Sequence, residues 1–181
     1  MRTFVAVIAA VLVSGAAARA TVLVASDVAS LARDARTIAR GRVVSIQARP
    51  TDDRRGIETI VTLDVETYLK GALGSTVQFR VPGGEFGRYR SVFVGAPQFA
   101  VDERVIVFLG AHGPAVPHIL GLSEGVYRLA WSSAANSWVV ASPVALPVAT
   151  VTPIVRGDPA SRPMTLGDFE RRIREFAAGA K

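Results

Sequence analysis

From Ile57 to Leu69 apolar and polar residues alternate: Ile57, Val61, Leu63, Val65 and Leu69 fall on one side of an extended chain, and Glu58, Thr62, Asp64, Glu66 and Lys70 on the other. A period of two cannot serve a helix, so this stretch is a long, half-buried β-strand. The β-branched run Arg42 to Ala48 precedes it. Between them Arg49–Gly56 (R-P-T-D-D-R-R-G) is a polar turn punctuated by Pro50 and Gly56, which makes the two runs a strand pair.

The same grammar continues along the chain. Gly71–Gly74 turns, and Val77, Phe79 and Val81 alternate with Gln78 and Arg80 in a third strand. Pro82-Gly83-Gly84 ends that strand, Glu85–Arg90 forms a loop, Ser91–Val94 is a further strand, and Gly95-Ala96-Pro97 turns again. Arg104–Leu109 is apolar on both faces, the pattern of a central strand, and Ile119–Leu122, Val126–Trp131 and Trp138–Ala141 supply short strands. No helical crossover separates Gly41 from Ser142, which favours a barrel or sandwich over a parallel α/β sheet.

Helical periodicity is confined to the flanks. Over Ser26–Arg40, Val28, Ala35 and Ile38 cluster around Leu31 while Arg33, Arg36 and Arg40 lie opposite; Ser26 or Asp27 caps the start and Gly41 stops the helix. At the other end Thr165 and Asp168 make an aspartate variant of the capping box, with Met164 and Phe169 placed as a hydrophobic staple. Leu166, Phe169, Ile173 and Phe176 share one face, and Glu170, Arg171, Arg174 and Glu175 lie away from it, so this helix is expected to dock on the barrel.

Composition narrows the class. With 181 residues, half of them hydrophobic, and no cysteine, the chain can bury a single-domain core and has neither a disulfide framework nor a thiolate metal site. Met1-Arg2, the apolar run Phe4–Val13 and the small residues from Ser14 to Ala20, ending in an A-x-A pattern, read as a signal peptide over residues 1–20. Its removal takes away Arg2 and Arg19 and leaves 19 basic against 15 acidic residues, a net of +4 with no polybasic run. The expected organisation is a helix-plus-barrel domain over 21–142, a strap over 143–163 carrying five prolines, and a C-terminal helix over 164–181. The expected location is the periplasm or the medium, with no transmembrane segment after signal removal.

Motifs of chemistry are weak. Gly121-Leu122-Ser123-Glu124-Gly125 has the letters of a nucleophile elbow, yet a strand is expected after it where an elbow needs a helix, and both histidines, His112 and His118, precede the serine. The two histidines, six residues apart around two prolines, lack the spacing of a zinc pair. Gly83, Gly84 and Gly87 precede no Gly-Lys-Ser/Thr and are turn glycines. No catalytic residue, metal site or cofactor is therefore assigned. One surface feature stands out: Phe86, Arg88, Tyr89 and Arg90 interleave aromatic rings with guanidinium groups beside a strand, a composition suited to a binding edge.

The order Ile38–Ile46 (I-A-R-G-R-V-V-S-I), Ile60–Gly71 (I-V-T-L-D-V-E-T-Y-L-K-G), Val77–Gly84 (V-Q-F-R-V-P-G-G) and Val105–Gly110 (V-I-V-F-L-G) resembles the netrin-like module of tissue inhibitors of metalloproteinases and their bacterial relatives. The resemblance implies an OB-like barrel flanked by helices. It does not carry the inhibitory residue, which in that family is an N-terminal, disulfide-held cysteine, because this chain has no cysteine. Val81–Gly84, Gly95–Pro97 and Met164–Leu166 also resemble exported bacterial proteins of this shape, and no activity comes with them.

The expectations are therefore a mainly β fold, a small OB-like, netrin-like β-barrel with an N-terminal and a C-terminal helix. It is expected to act as an exported, monomeric, non-enzymatic binding or scaffolding module. A protein partner of unknown identity and no nucleic acid are expected, with Phe86, Arg88, Tyr89 and Arg90 at the contact. The alternatives are a small serine hydrolase using Ser123 with His118, and a barrel that holds an apolar ligand.

Overall fold

The computed structural model describes residues 27–111, 115–133, 135–141 and 164–179. The expected signal peptide, the strap over 143–163 and His112 lie outside the described residues.

The first helix, α1, is Val28–Asp34, capped by the Asp27 carboxylate, which accepts from the Ala29 N–H at 3.2 Å. It ends well before Gly41, contrary to the sequence pattern. Ala35 is extended, and strand β1 runs Thr37–Pro50. Strand pairing explains the difference: Thr37–Arg42 lie in register with residues 109 to 104, a ladder that a helix would forfeit. Ala35 and Ile38 still reach the same core as Leu31, so the buried set is right although the backbone is not helical. Gly41 is a close-approach position inside β1, where a Cβ would stand 2.1 Å from the Asp64 carbonyl oxygen.

Strand β2 (Ile57–Lys70) pairs antiparallel with β1, and β3 (Thr76–Pro82) pairs antiparallel with β2. The alternation in β2 does not hold to its end. Arg40 pairs with Thr67 and Gly41 with Val65, which leaves Glu66 as an extra residue and shifts the parity of the strand beyond it. Val65 and Tyr68 both pack on the ring's core, and Leu69 turns to the helix side. At the other end of β2, Glu58 is buried rather than solvated, paired with Arg49 at 2.7 Å and with Arg80 at 3.9 Å.

After the short ribbon β4 (Gly84–Phe86) and β5 (Tyr89–Ser91) come β6 (Arg104–Gly110), β7 (His118–Ile119), a 3₁₀ turn (Leu122–Gly125), β8 (Val126–Ser132), β9 (Ser137–Ala141) and β10 (Met164–Thr165). The expected strand at Ser91–Val94 is therefore absent beyond Ser91. Strands β1, β2, β3, β7 and β6 form a ring of five, because β6 pairs with both β7 and β1. The ring is not a closed barrel. β3 meets β7 through the single parallel pair Arg80 and His118, and Pro117, just before β7, has no N–H to extend the ladder.

Strand β6 holds the molecule together. Val105, Val107 and Leu109 enter the ring core with Val43, Val61, Leu63 and Phe79, while Ile106 and Phe108 enter a second core beneath the helices. Its apolarity on both faces is thus the signature of a strand with a core on each side. The second core is closed by α1, by Tyr127 of β8, by Val140 of β9 and by helix α2 (Leu166–Ala178). Thr165 caps α2 by accepting from the Asp168 N–H at 3.3 Å, and Met164 and Phe169 pack in this core as a staple would place them. Phe169 stacks on Tyr127 with ring centroids 4.7 Å apart. Glu170 departs from its expected solvent position: it is nearly buried and meets Arg40 at 3.1 Å. Among the described residues no helix is long and apolar enough to cross a membrane.

Candidate docking site at the β4–β5 ribbon

Two glycines set the ribbon on the ring. Gly83 and Gly84 have φ of 89° and 139°, which a side chain would resist. A Cβ on Gly84 would also fall 2.5 Å from the Thr59 hydroxyl oxygen. The root is pinned by the Gly83 N–H donating to the Ile57 carbonyl at 2.9 Å and by the Thr59 hydroxyl donating to the Gly83 carbonyl at 2.7 Å. From there Gly84 pairs with Ser91, Glu85 with Arg90 and Phe86 with Tyr89, and Gly87 turns the ribbon at φ 60°.

All four sequence-assigned residues lie on this ribbon. Phe86 and Tyr89 are cross-strand partners, and the Arg88 guanidinium lies over the Tyr89 ring at 5.1 Å while donating to its hydroxyl at 2.9 Å. Arg90 pairs with Glu85 at 3.2 Å, both largely in solvent. Sequence reasoning missed the segment after the ribbon. Val92, Phe93 and Val94, read as strand residues, are exposed, Val92 by 74% and Val94 by 83%. The signal was present in the flanks: three apolar residues squeezed between a three-residue strand and Gly95-Ala96-Pro97 have no room to build a buried strand.

Beside the ribbon is a cleft of about 440 Å³. Ile46 and Ala48 of β1, Thr59 of β2 and Val81 of β3 line it from the ring; Glu85, Arg90 and Phe93 line it from the ribbon side, and Pro97, Gln98 and Phe99 from the loop after Val94. Phe99 is anchored edge-on against Phe79 of the ring core at 5.5 Å. The ring's interior itself is filled, since Val43, Val61, Leu63, Phe79, Val105 and Val107 are all fully buried in one cluster.

The other motif residues are placed differently. Ser123 sits in the 3₁₀ turn, its N–H donating to the Gly95 carbonyl at 3.0 Å, and β8 begins at Val126 where a nucleophile elbow would need a helix. His118 is in β7, on the ring's weakest seam. In the β1–β2 turn the Thr51 hydroxyl, then the Arg55 N–H, hold the Asp53 carboxyl below its ordinary value of 3.8, which marks an ordered turn. Among the described residues no group of three or more His, Cys, Asp or Glu is placed to hold a metal ion.

No family model, no curated protein and no solved structure matches the chain.

Proposed function

We propose that this chain is an exported, monomeric, non-enzymatic binding module of the cell envelope or the surrounding medium, and that it meets a protein partner through the β4–β5 ribbon and the exposed apolar segment Val92–Val94. The observation that carries the reading is a concentration of exposed apolar side chains, Phe86, Tyr89, Val92, Phe93 and Val94, within one short stretch of a chain whose other large apolar residues are mostly packed in two cores. Contiguous exposed apolar surface rimmed by charge marks a contact site, and aromatic rings and arginine are the side chains that interfaces favour. The five-strand ring, partly open and flanked by two helices, supports the finer reading of an OB-like, netrin-like fold.

The test is affinity capture with residues 21–181 as bait from the host's envelope and secreted fractions, beside a bait carrying Arg88→Ala and Arg90→Ala. A dominant protein that the double variant no longer holds is the expected result. A partner retained at full strength by the variant would remove the site from the ribbon.

A further inference from the structure

We infer that the partner presents an extended stretch of chain that joins the ring as an added strand, hydrogen-bonded to the free edge of β1 at Ile46 and Ala48. This rests on the proposed protein-binding reading and names the form of the partner. The first observation is register. The Thr51 N–H donates to the Gly56 carbonyl at 2.9 Å, and the same register continues through Arg49 with Glu58 and Gln47 with Ile60. In an antiparallel ladder bonded pairs alternate with unbonded ones, so Gln47 and Arg49 turn their N–H and C=O toward β2, and Ile46 and Ala48 turn theirs away from it. Earlier in β1 that outer edge is met: Thr37–Arg42 pair with β6, and Val43 bonds with Glu103 and Asp102 at 2.9 Å each. There the pairing stops. Asp102 at φ 70° and the bond from the Glu103 N–H to the Ala100 carbonyl turn the chain away, and among the described residues no strand pairs with Ile46 or Ala48 on that side.

The second observation is where this edge lies. Ile46 and Ala48 line the cleft of about 440 Å³, together with Gln98 and Phe99 of the chain that parts from β1. That wall is held in place, because Arg128 donates to the Gln98 carbonyl at 2.6 Å and Phe99 rests on Phe79. Val92 and Phe93 also line the cleft, which makes the edge continuous with the exposed apolar segment of the proposed contact. The third observation is complementarity. The charged residues that line the cleft, Glu85 and Arg90, pair with each other at 3.2 Å, so the lining selects neither sign of charge. A strand edge presents alternating donors and acceptors, and what matches them is an extended backbone, largely whatever side chains it carries. Pro50, without an N–H, and the register shift between Val43 and Ser45 bound the edge, so the added strand is short.

A displayed random-peptide library selected on the full chain tests this, with the enriched peptides then synthesised and titrated by fluorescence polarisation. Each peptide is also made with one backbone nitrogen methylated at a time, which deletes a single N–H donor. The protein panel is the wild type, Ala48→Pro, and Phe86→Ser with Tyr89→Ser, and urea unfolding of each separates lost binding from lost folding. Ala48→Pro withdraws an N–H from the free edge and spares the β1–β2 ladder, which does not use it. Expected is a loss of about tenfold or more when alternate peptide nitrogens are methylated, little change at the positions between them, and a similar loss with Ala48→Pro. The methylated peptides act on wild-type protein, so the test holds even where the proline variant fails to fold. Losses that do not alternate, or binding untouched by a folded Ala48→Pro, overturn the inference; if that binding still depends on Phe86 and Tyr89, the ribbon reading stands. No enrichment, or binding instead to phosphatidylglycerol vesicles, overturns both.

Discussion

The two ends of the β1–β2 pair are built in opposite ways. Toward the helices Ile38 and Leu69 are sealed under Phe108, Phe169 and Ile173, and Lys70 donates to the Ala32 and Arg33 carbonyls at 2.9 and 2.8 Å, closing the C-terminal end of α1. Toward the ribbon the same two strands end among exposed arginines, a glycine-rooted ribbon and large apolar side chains about half or more in solvent. Stability is concentrated at the first end, and surface available to a partner at the second.

The contrast is broken most severely from within the ring. Phe79→Ala removes a fully buried ring that also anchors Phe99, and a loss of about 3–5 kcal/mol in urea unfolding is expected. Because Phe99 lines the cleft, the same variant also loosens the cleft wall, which makes it a poor probe of binding alone. Gly84→Ala comes next. Its positive φ and the Thr59 oxygen 2.5 Å from the new Cβ predict a loss greater than about 1 kcal/mol, with a ribbon displaced from the ring that differential hydrogen exchange at residues 84–91 would register.

At the helix end the effect is smaller. Thr165→Ala deletes the cap of α2 and is expected to cost about 1 kcal/mol by the same unfolding measurement. It also changes an acid titration. The Thr165 hydroxyl donates to the Asp168 carboxylate at 2.6 Å, and this bond, ahead of the attraction of Arg171, holds that carboxyl below its ordinary value of 3.8. A carboxyl depressed in the folded state contributes stability above its unfolded pKa and loses it as pH falls through the folded value, so the helix end weakens only below about pH 4. Carboxyl NMR of Asp168 should give a midpoint under 3.8 that rises in Thr165→Ala; an unmoved midpoint would deny the hydroxyl its role.

The smallest change in stability is expected at the ribbon. Phe86→Ser with Tyr89→Ser alters side chains that are largely in solvent, so the unfolding free energy should move by no more than about 0.5 kcal/mol per site. Binding should nevertheless fail, and this divergence sharpens the comparison between the two ends.

Much of this was legible in the sequence where local pattern and tertiary role agree. β2 was readable to within one residue of its end, the two-faced apolarity of β6 gave its central position, and the Thr165 cap and Met164–Phe169 staple were visible as letters. The failures share a physical cause, the influence of partners distant in sequence. Arg36–Arg40 keeps a helical spacing of buried residues because β1 travels along the same core, and only the ladder to β6 reveals it as a strand. Glu58 looks solvent-facing until Arg49 and Arg80 arrive from neighbouring strands. The parity shift at Glu66 needs the register of β1 to be known. For the site, the interleaving of Phe86, Arg88, Tyr89 and Arg90 was a compositional signal, but the cleft also takes Ile46, Ala48 and Thr59 from β1 and β2, which only the folded ring brings beside the residues between Val81 and Phe99.

The central claim is that the ribbon is a working surface which the fold does not need, and a paired measurement tests it most directly. Wild type and the Phe86→Ser, Tyr89→Ser variant, shown to unfold at the same urea concentration, are used side by side to capture a partner from the host's envelope and secreted fractions. The account predicts equal stability and a protein held by the wild type alone. A variant that holds the same protein as tightly as the wild type, or that loses it only because it has unfolded, would contradict it.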